Sequence, residues 1–400
     1  MRGKIAWLVP APLKGSGGHR TIFQNVTALA DRGAECHLYF QESKESYETA
    51  SDVERIVEEW FGRVPATFHV GYAIDRDVDV GFATAWFTAE PLRRSRRAKK
   101  KAYFVQDYEA YFMPMSDGFL LAENSFRYGF HGTSIGNWLT RRLGEDFGMR
   151  CTPFDFCADR SVYRPLPHER RELAVCFVYQ PEKPRRCSLI GGQALHIVKR
   201  EMPEVAIRFY GTDAPASVPF EFEHLGLMPI KRCNELYNQC TVGLCISATN
   251  PSRIPFEMMA AGLPVVDVYR DNTLYDMPDD AVLLAEPTPE SIAHALLRIL
   301  RDREEQRARS KAGLEFMRDR GLERGFGQFA AFVEQLLGDD VDAGLSLPEK
   351  VYRKPPVSAP AEVSLRYQDI LSGALPPAPP PGRVAKLLAR TRATLDKFRR

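Results

Sequence analysis

Two carboxylates, Asp107 and Glu109, sit among aromatic rings in the segment Phe104-Val-Gln-Asp-Tyr-Glu-Ala-Tyr-Phe112. A general base needs a carboxylate partly withdrawn from water beside an acceptor hydroxyl, and the flanking rings suit stacking on a sugar. Asp107 equally suits the N-cap of a following helix. A second constellation, Tyr179-Gln-Pro-Glu-Lys-Pro-Arg-Arg186, gathers Lys183, Arg185 and Arg186 between an apolar run and a helical one. Cations and free helix N–H groups together suit a diphosphate there. Gly15, Gly17 and Gly18, in Gly15-Ser-Gly-Gly18, permit close backbone approach to an anion or form an ordinary strand-to-helix turn. They match neither GxGxxG nor GxxxxGK[ST]. His19 ends that loop as a candidate substrate contact or a structural histidine. Glu257, in the helix that follows the polar loop Ser247–Arg253, suits either vicinal sugar hydroxyls or a neighbouring base.

The elements that must position these groups alternate. Lys4–Pro10 reads as a buried strand, Arg20–Asp31 as a helix with Ile22, Val26 and Leu29 on one face, and Gly33 as its stop. Strands follow at Glu35–Phe40, Val78–Ala83 and Ala102–Gln106. A second series begins with Leu173–Tyr179, then Ala206–Tyr210, Val242–Ile246, Pro264–Tyr269 and Ala281–Ala285, with helices expected at Cys187–Glu201, Lys231–Cys240 and Phe256–Ala261. Thr288 and Pro289 open a further helix as N-cap and first residue. Strand–helix alternation with near-continuous apolar strands implies parallel sheets covered on both faces. The fold class is therefore α/β, two doubly wound halves joined around Tyr163–Pro167.

Composition narrows the function. The 400 residues carry 54 basic and 52 acidic side chains, a formal net charge of +2, so any basic partner surface must be local and a dedicated nucleic-acid binder is not expected. No apolar run reaches the roughly 18 residues of a membrane span. The start, Met1-Arg-Gly-Lys-Ile-Ala-Trp-Leu-Val9, is too short for a signal-peptide core. Eight scattered cysteines form no CxxC pair, which suits a reduced, cytoplasmic enzyme. The basic run Arg93, Arg94, Arg96, Arg97, Lys99, Lys100 and Lys101 is either a solvated helix face or a contact for anionic lipid. Arg383–Arg400, basic and amphipathic, suggests the same peripheral membrane contact.

Pro255-Phe-Glu-Met-Met-Ala-Ala-Gly-Leu-Pro-Val-Val266 resembles the E-A-M-A-x-G-x-P-V-V signature of the family 4 glycosyltransferases, which have the GT-B architecture of two facing Rossmann-like domains. Gln180–Arg185 is similar to that family's R-x-x-P-E-K-G segment, and Cys157–Pro165 to its interdomain connector. The resemblance covers the chain to about residue 340. Within it, Phe104–Glu109 and Asn250–Glu257 look closest to the WsaF-like rhamnosyltransferases. It implies a nucleotide-sugar donor, dTDP-β-L-rhamnose, and transfer to a glycan or lipid-linked acceptor in surface polysaccharide assembly. Donor-binding residues would be Lys183, Arg185, Arg186, Gly211, Asn250, Ser252, Arg253 and Glu257, with Glu257 on the ribose. Asp107, Glu109 and His19 would be catalytic, with no cofactor or metal. Three positions depart from the pattern: Thr249 replaces the first glutamate of the usual pair, Gln180 replaces an arginine and Arg185 replaces the family lysine.

The expected organisation is an acceptor domain at 1–165, a donor domain at 166–320 and a helical segment at 321–344 returning to the first domain. A Pro-rich extended linker at 345–382 and a basic helix at 383–400 complete it. A GT-B sugar-nucleotide epimerase and a catalytically silent GT-B scaffold are the alternative functions.

Overall fold

The computed structural model describes residues 1–43, 45–167, 171–338 and 347–372. The expected basic helix 383–400 lies outside them. The first sheet has seven parallel strands: β1 (Lys4–Val9), β2 (Glu35–Phe40), β3 (Thr67–Val70), β4 (Val78–Ala83), β5 (Ala98–Val105), β6 (His131–Ile135) and β7 (Cys151–Phe154). Their spatial order is β3-β2-β1-β4-β5-β6-β7. The second has six: β8 (Ala174–Val178), β9 (Ala206–Tyr210), β10 (Glu223–His224), β11 (Val242–Leu244), β12 (Val265–Val268) and β13 (Val282–Ala285), ordered β10-β9-β8-β11-β12-β13. Each sheet reverses its strand order beside its first strand, the doubly wound topology that leaves a crevice at the carboxyl edge.

Burial explains the strands. Ile5 to Val9 are fully inaccessible, and Ala174 to Val178 are buried throughout, because helices cover both faces. Ser16 caps the helix Gly17–Ala30, accepting from the His19 N–H. Thr49 and Asp52 form a capping box that starts the helix Ala50–Phe61. Thr288 caps Pro289–Arg301 as its sequence foretells. The helix Leu322–Gly338 lies against the first sheet, where the Phe329 ring packs 5.3 Å from Phe104 and 5.6 Å from Trp7.

Three expectations need correction. Gly17 and Gly18 are the first helical residues and not loop, because Ser16 caps the helix and starts it three residues before Arg20, where the apolar periodicity places it. The basic run is no helix face. Arg93 and Arg94 end one helix and pair with Glu90, whereas Lys99 to Lys101 begin β5. Arg97 pairs with Asp77 and Lys99 with Asp79, so much of that charge is neutralised locally. Nor is 347–372 an extended linker. Tyr352, Tyr367 and Ile370 are buried against the second half, the Tyr352 hydroxyl accepts from the Leu284 N–H, and Val357 bridges Ala285. Its prolines space apolar anchors along the domain surface instead of preventing packing.

Candidate active site

The carboxyl edges of the two sheets face each other. At the end of β8 the chain forms a tight turn, Pro184–Arg186, and then the helix Ser188–Glu201. Cys187 joins them at φ 48°, alone among described non-glycine residues at positive φ, a conformation that costs energy and marks an over-determined turn. No side chain caps this helix, so its first N–H groups remain available to an anion. Lys183, Arg185 and Arg186 crowd beside it. Burial, then repulsion from Arg186 and Arg185, pulls the Lys183 ammonium down to about 8. Burial also lowers Arg185, with Asp107 opposing. The Arg186 Nε is buried without a partner. Among the described residues no carboxylate forms an ion pair with these three cations. Positive charge crowded into a half-buried turn, offset only at a distance by Asp107 and Glu109, is costly unless an anion arrives.

Across the crevice, Arg185 stacks over the Phe112 ring at 4.3 Å. Glu109 accepts from the Trp86 N–H at 2.6 Å, at the start of the helix Trp86–Arg94. Burial, with the Asp107 charge adding, pushes its carboxyl up to about 8. Asp107 is neither a free base nor a local N-cap. Its Oδ2 accepts from the Thr249 hydroxyl at 3.0 Å, and its Oδ1 from the Asn250 N–H at 3.0 Å and the Tyr108 N–H at 2.8 Å. Burial raises its pKa, and Arg185 opposes the rise.

Several expected donor contacts are occupied otherwise. Asn250 donates its amide to the carbonyls of Gln106 and Ile135, both at 3.0 Å, and so ties the halves together, while its Oδ1 is buried without a partner. Arg253 reaches the Cys157 carbonyl at 3.2 Å and Gln24 Oε1 at 3.1 Å. Ser252 accepts from the Ile254 N–H at 3.4 Å. Glu257 is buried 4.0 Å from Arg253, near Tyr163 and Arg20, and burial raises its pKa. Gln180 donates to the Gly211 carbonyl at 2.7 Å, and Gly211, at φ 106°, makes the turn this requires. His19, the third catalytic candidate, turns its ring toward its own loop. Its Nε2 meets the Pro10 carbonyl at 3.2 Å and its Nδ1 the Ser16 hydroxyl at 3.0 Å, so both ring nitrogens are spent on the loop. Gly15, at φ 73°, faces Leu227 of the second half.

Local patterns do not announce other supports of the site. Asp267 accepts from the Ser247 N–H and hydroxyl at 2.8 and 2.7 Å, and Asn272 donates to the carbonyls of Ser247 and Thr249, fixing the loop that meets Asp107. Asp276 accepts from the Asn137 and Trp138 N–H groups at 2.8 and 3.2 Å. It thus caps the helix Asn137–Phe147, whose own N-cap, Gly136, has no side chain. Among the described residues, no group of three His, Cys, Asp or Glu is placed to hold a metal ion, and no helix is long and apolar enough to cross a membrane.

Two parallel, doubly wound sheets facing across such a crevice define the GT-B fold. Residues 173–297 match the family model described as WsaF, C-terminal domain. The O-antigen biosynthesis protein RfbC of Myxococcus xanthus is 33% identical over 221 residues, 54% of this chain and 17% of that protein; the chain thus spans about a sixth of that relative. Sucrose-phosphate synthase of Thermosynechococcus elongatus superposes with a TM-score of 0.64 at 14% identity, covering 84% of this chain and 99% of that one. Anabaena Alr3699/HepE in complex with UDP-glucose gives 0.63 at 13% identity, covering 83% and 100%. At such identities the likeness establishes the fold.

Proposed function

We propose that the chain is a metal-independent glycosyltransferase of surface polysaccharide assembly. It moves a hexosyl group from a nucleotide diphosphate donor to a glycan or lipid-linked acceptor. The observation that carries this reading is the set of three cations at Lys183, Arg185 and Arg186 beside an uncapped helix N-terminus, with no carboxylate paired to them among the described residues. Two leaving phosphates would supply the missing charge, and the cations would take the place of a metal at the departing diphosphate. The WsaF match and the RfbC likeness support polysaccharide assembly, and dTDP-β-L-rhamnose is the proposed donor.

The bond from the sugar C1 to the diphosphate oxygen breaks as the acceptor hydroxyl oxygen attacks C1, and the hydroxyl proton needs a base. Asp107 is committed to Thr249 and Asn250, and Glu109 is mostly protonated at neutral pH. The departing phosphate oxygen is then the base, which fits attack on the same face and retention of configuration. Glu109, as a neutral acid, orients the acceptor, and closure around Asp107 excludes water.

Turnover of a panel of nucleotide sugars, followed by nucleotide diphosphate release with and without glycan acceptors, tests the proposal. Release dependent on an acceptor is expected. Acceptor-independent conversion would indicate an epimerase, and absence of both binding and turnover would indicate a scaffold.

A further inference from the structure

The sequence is nearly neutral, and the run at 93–101 spends much of its charge on Glu90, Asp77 and Asp79. Basic charge in excess of its acidic partners collects elsewhere, at the amino-terminal edge of the second sheet, where Arg301 reaches Glu201 and Arg318 reaches Glu315 but most of the cations pair with no described acid. There a cavity of about 1190 Å³ opens beside Leu173, Thr241 and Pro264, the residues that immediately precede β8, β11 and β12. It lies at the edge opposite Lys183–Arg186.

Among the described residues, six guanidinium groups and one ammonium line it, against one carboxylate, Glu315, which is already paired with Arg318. Arg303, Arg307 and Lys311 recur every four residues along the exposed face of the helix Arg303–Met317, and none forms an ion pair with a described residue. Another acid of that helix, Glu305, is taken by Arg298 and Arg309 on a different face. Arg171, at the cavity wall, donates to the carbonyls of Cys240 at 2.8 Å and Gly262 at 2.6 Å. It thereby fixes the wall, and it forms no ion pair with a described carboxylate. Met202, Leu300 and Leu314 supply an apolar floor. Guanidinium forks match phosphate oxygens in geometry as well as charge. The volume exceeds what one phosphate fills, and the floor suits an apolar remainder.

We infer that this cavity is a second anion site, separate from the donor cradle, which binds a phosphorylated ligand carrying an apolar part. A free phosphorylated metabolite and a phospholipid headgroup share that chemistry, and the experiment separates them. The full chain carrying Lys183→Ala, Arg185→Ala and Arg186→Ala, with all three cradle cations removed, is titrated calorimetrically with inorganic pyrophosphate at low salt. The parent full chain is floated with vesicles of phosphatidylglycerol and phosphatidylcholine, or of phosphatidylcholine alone. Both measurements are repeated after adding Arg303→Ala, Arg307→Ala and Lys311→Ala. Alanine at these exposed helical positions favours the helix, so folding is retained and circular dichroism verifies it.

Pyrophosphate binding that survives loss of the cradle and weakens at least tenfold in the triple variant supports the site with a free ligand. Flotation only with the anionic vesicles, abolished in the triple variant, supports it with a headgroup. Should the triple substitution change neither measurement, the site does not exist. The outcome is independent of donor binding, because the cradle is absent from the calorimetric arm.

Discussion

The Thr249 hydroxyl donates to the Asp107 carboxylate at 3.0 Å across the two halves. Thr249 stands where the resemblance led one to expect a glutamate, and the contact gives the substitution a physical reason. A carboxylate at 249 would meet Asp107 head-on. Thr249→Glu is therefore expected to destabilise the closed arrangement by about 2 kcal/mol, read as a lower Tm and faster proteolysis between the halves. Adding Asp107→Asn should recover most of the loss. No recovery would mean that the two positions do not interact.

Arg185 is the cation whose removal tells most about the phosphate cradle. A charge-assisted hydrogen bond is worth about 1.5–3 kcal/mol, so Arg185→Ala should weaken binding of a nucleotide diphosphate about 10–150-fold. The corresponding nucleoside should lose little. Arg185→Lys keeps the charge but gives up the guanidinium stacked on Phe112, and should recover only part of the affinity. Equal losses for diphosphate and nucleoside would remove Arg185 from the phosphates.

Glu109 separates two accounts of proton transfer. A true general base contributes about 10²–10⁴-fold, so its replacement by glutamine would cost that much. Burial holds Glu109 at about 8, so below that pH the side chain is already the neutral form that glutamine imitates. Glu109→Gln is expected to keep most of kcat at pH 7. In the unsubstituted chain, kcat should fall as the pH passes about 8 and a negative charge develops beside the departing diphosphate. The glutamine variant should lack that falling limb.

Much of the framework was legible because parallel strands buried on both faces read as apolar runs. Ala174–Val178 and Val78–Ala83 are of this kind. The edge strand Thr67–Val70 is half-exposed and carries no such run, so the sequence does not reveal it. The cations at Lys183–Arg186 could be found because three charges follow one strand. The role of Asp107 could not, since its partners lie 142 and 143 residues away. The same distance problem hid the packing of 347–372, where prolines suggested a linker while Tyr352 and Tyr367 supplied anchors.

The helix Asn137–Phe147 shows how completely a local rule can be met from elsewhere. Gly136 sits at φ 87°, and a Cβ there would lie 2.4 Å from Phe156 and 3.0 Å from Asp276 Oδ2. The cap is therefore supplied by the other half. Asp276→Ala leaves the Asn137 and Trp138 N–H groups unpaired and should cost about 1 kcal/mol, or about 2–4 °C in Tm. The pH dependence has a definite sign. Burial outweighs the opposing hydrogen bonds from the Asn137 and Trp138 N–H groups and raises the Asp276 carboxyl from 3.8 to about 6 in the fold. The folded chain thus binds this proton more tightly than the unfolded chain. The stability linked to it is full below about pH 4 and is lost as the pH rises through about 6. The Tm advantage of the unsubstituted chain over Asp276→Ala should accordingly be larger at pH 5 than at pH 7, when both are measured at matched ionic strength. An advantage that grew with pH would mean that the ionised carboxylate, and not the protonated one, is the form the fold prefers.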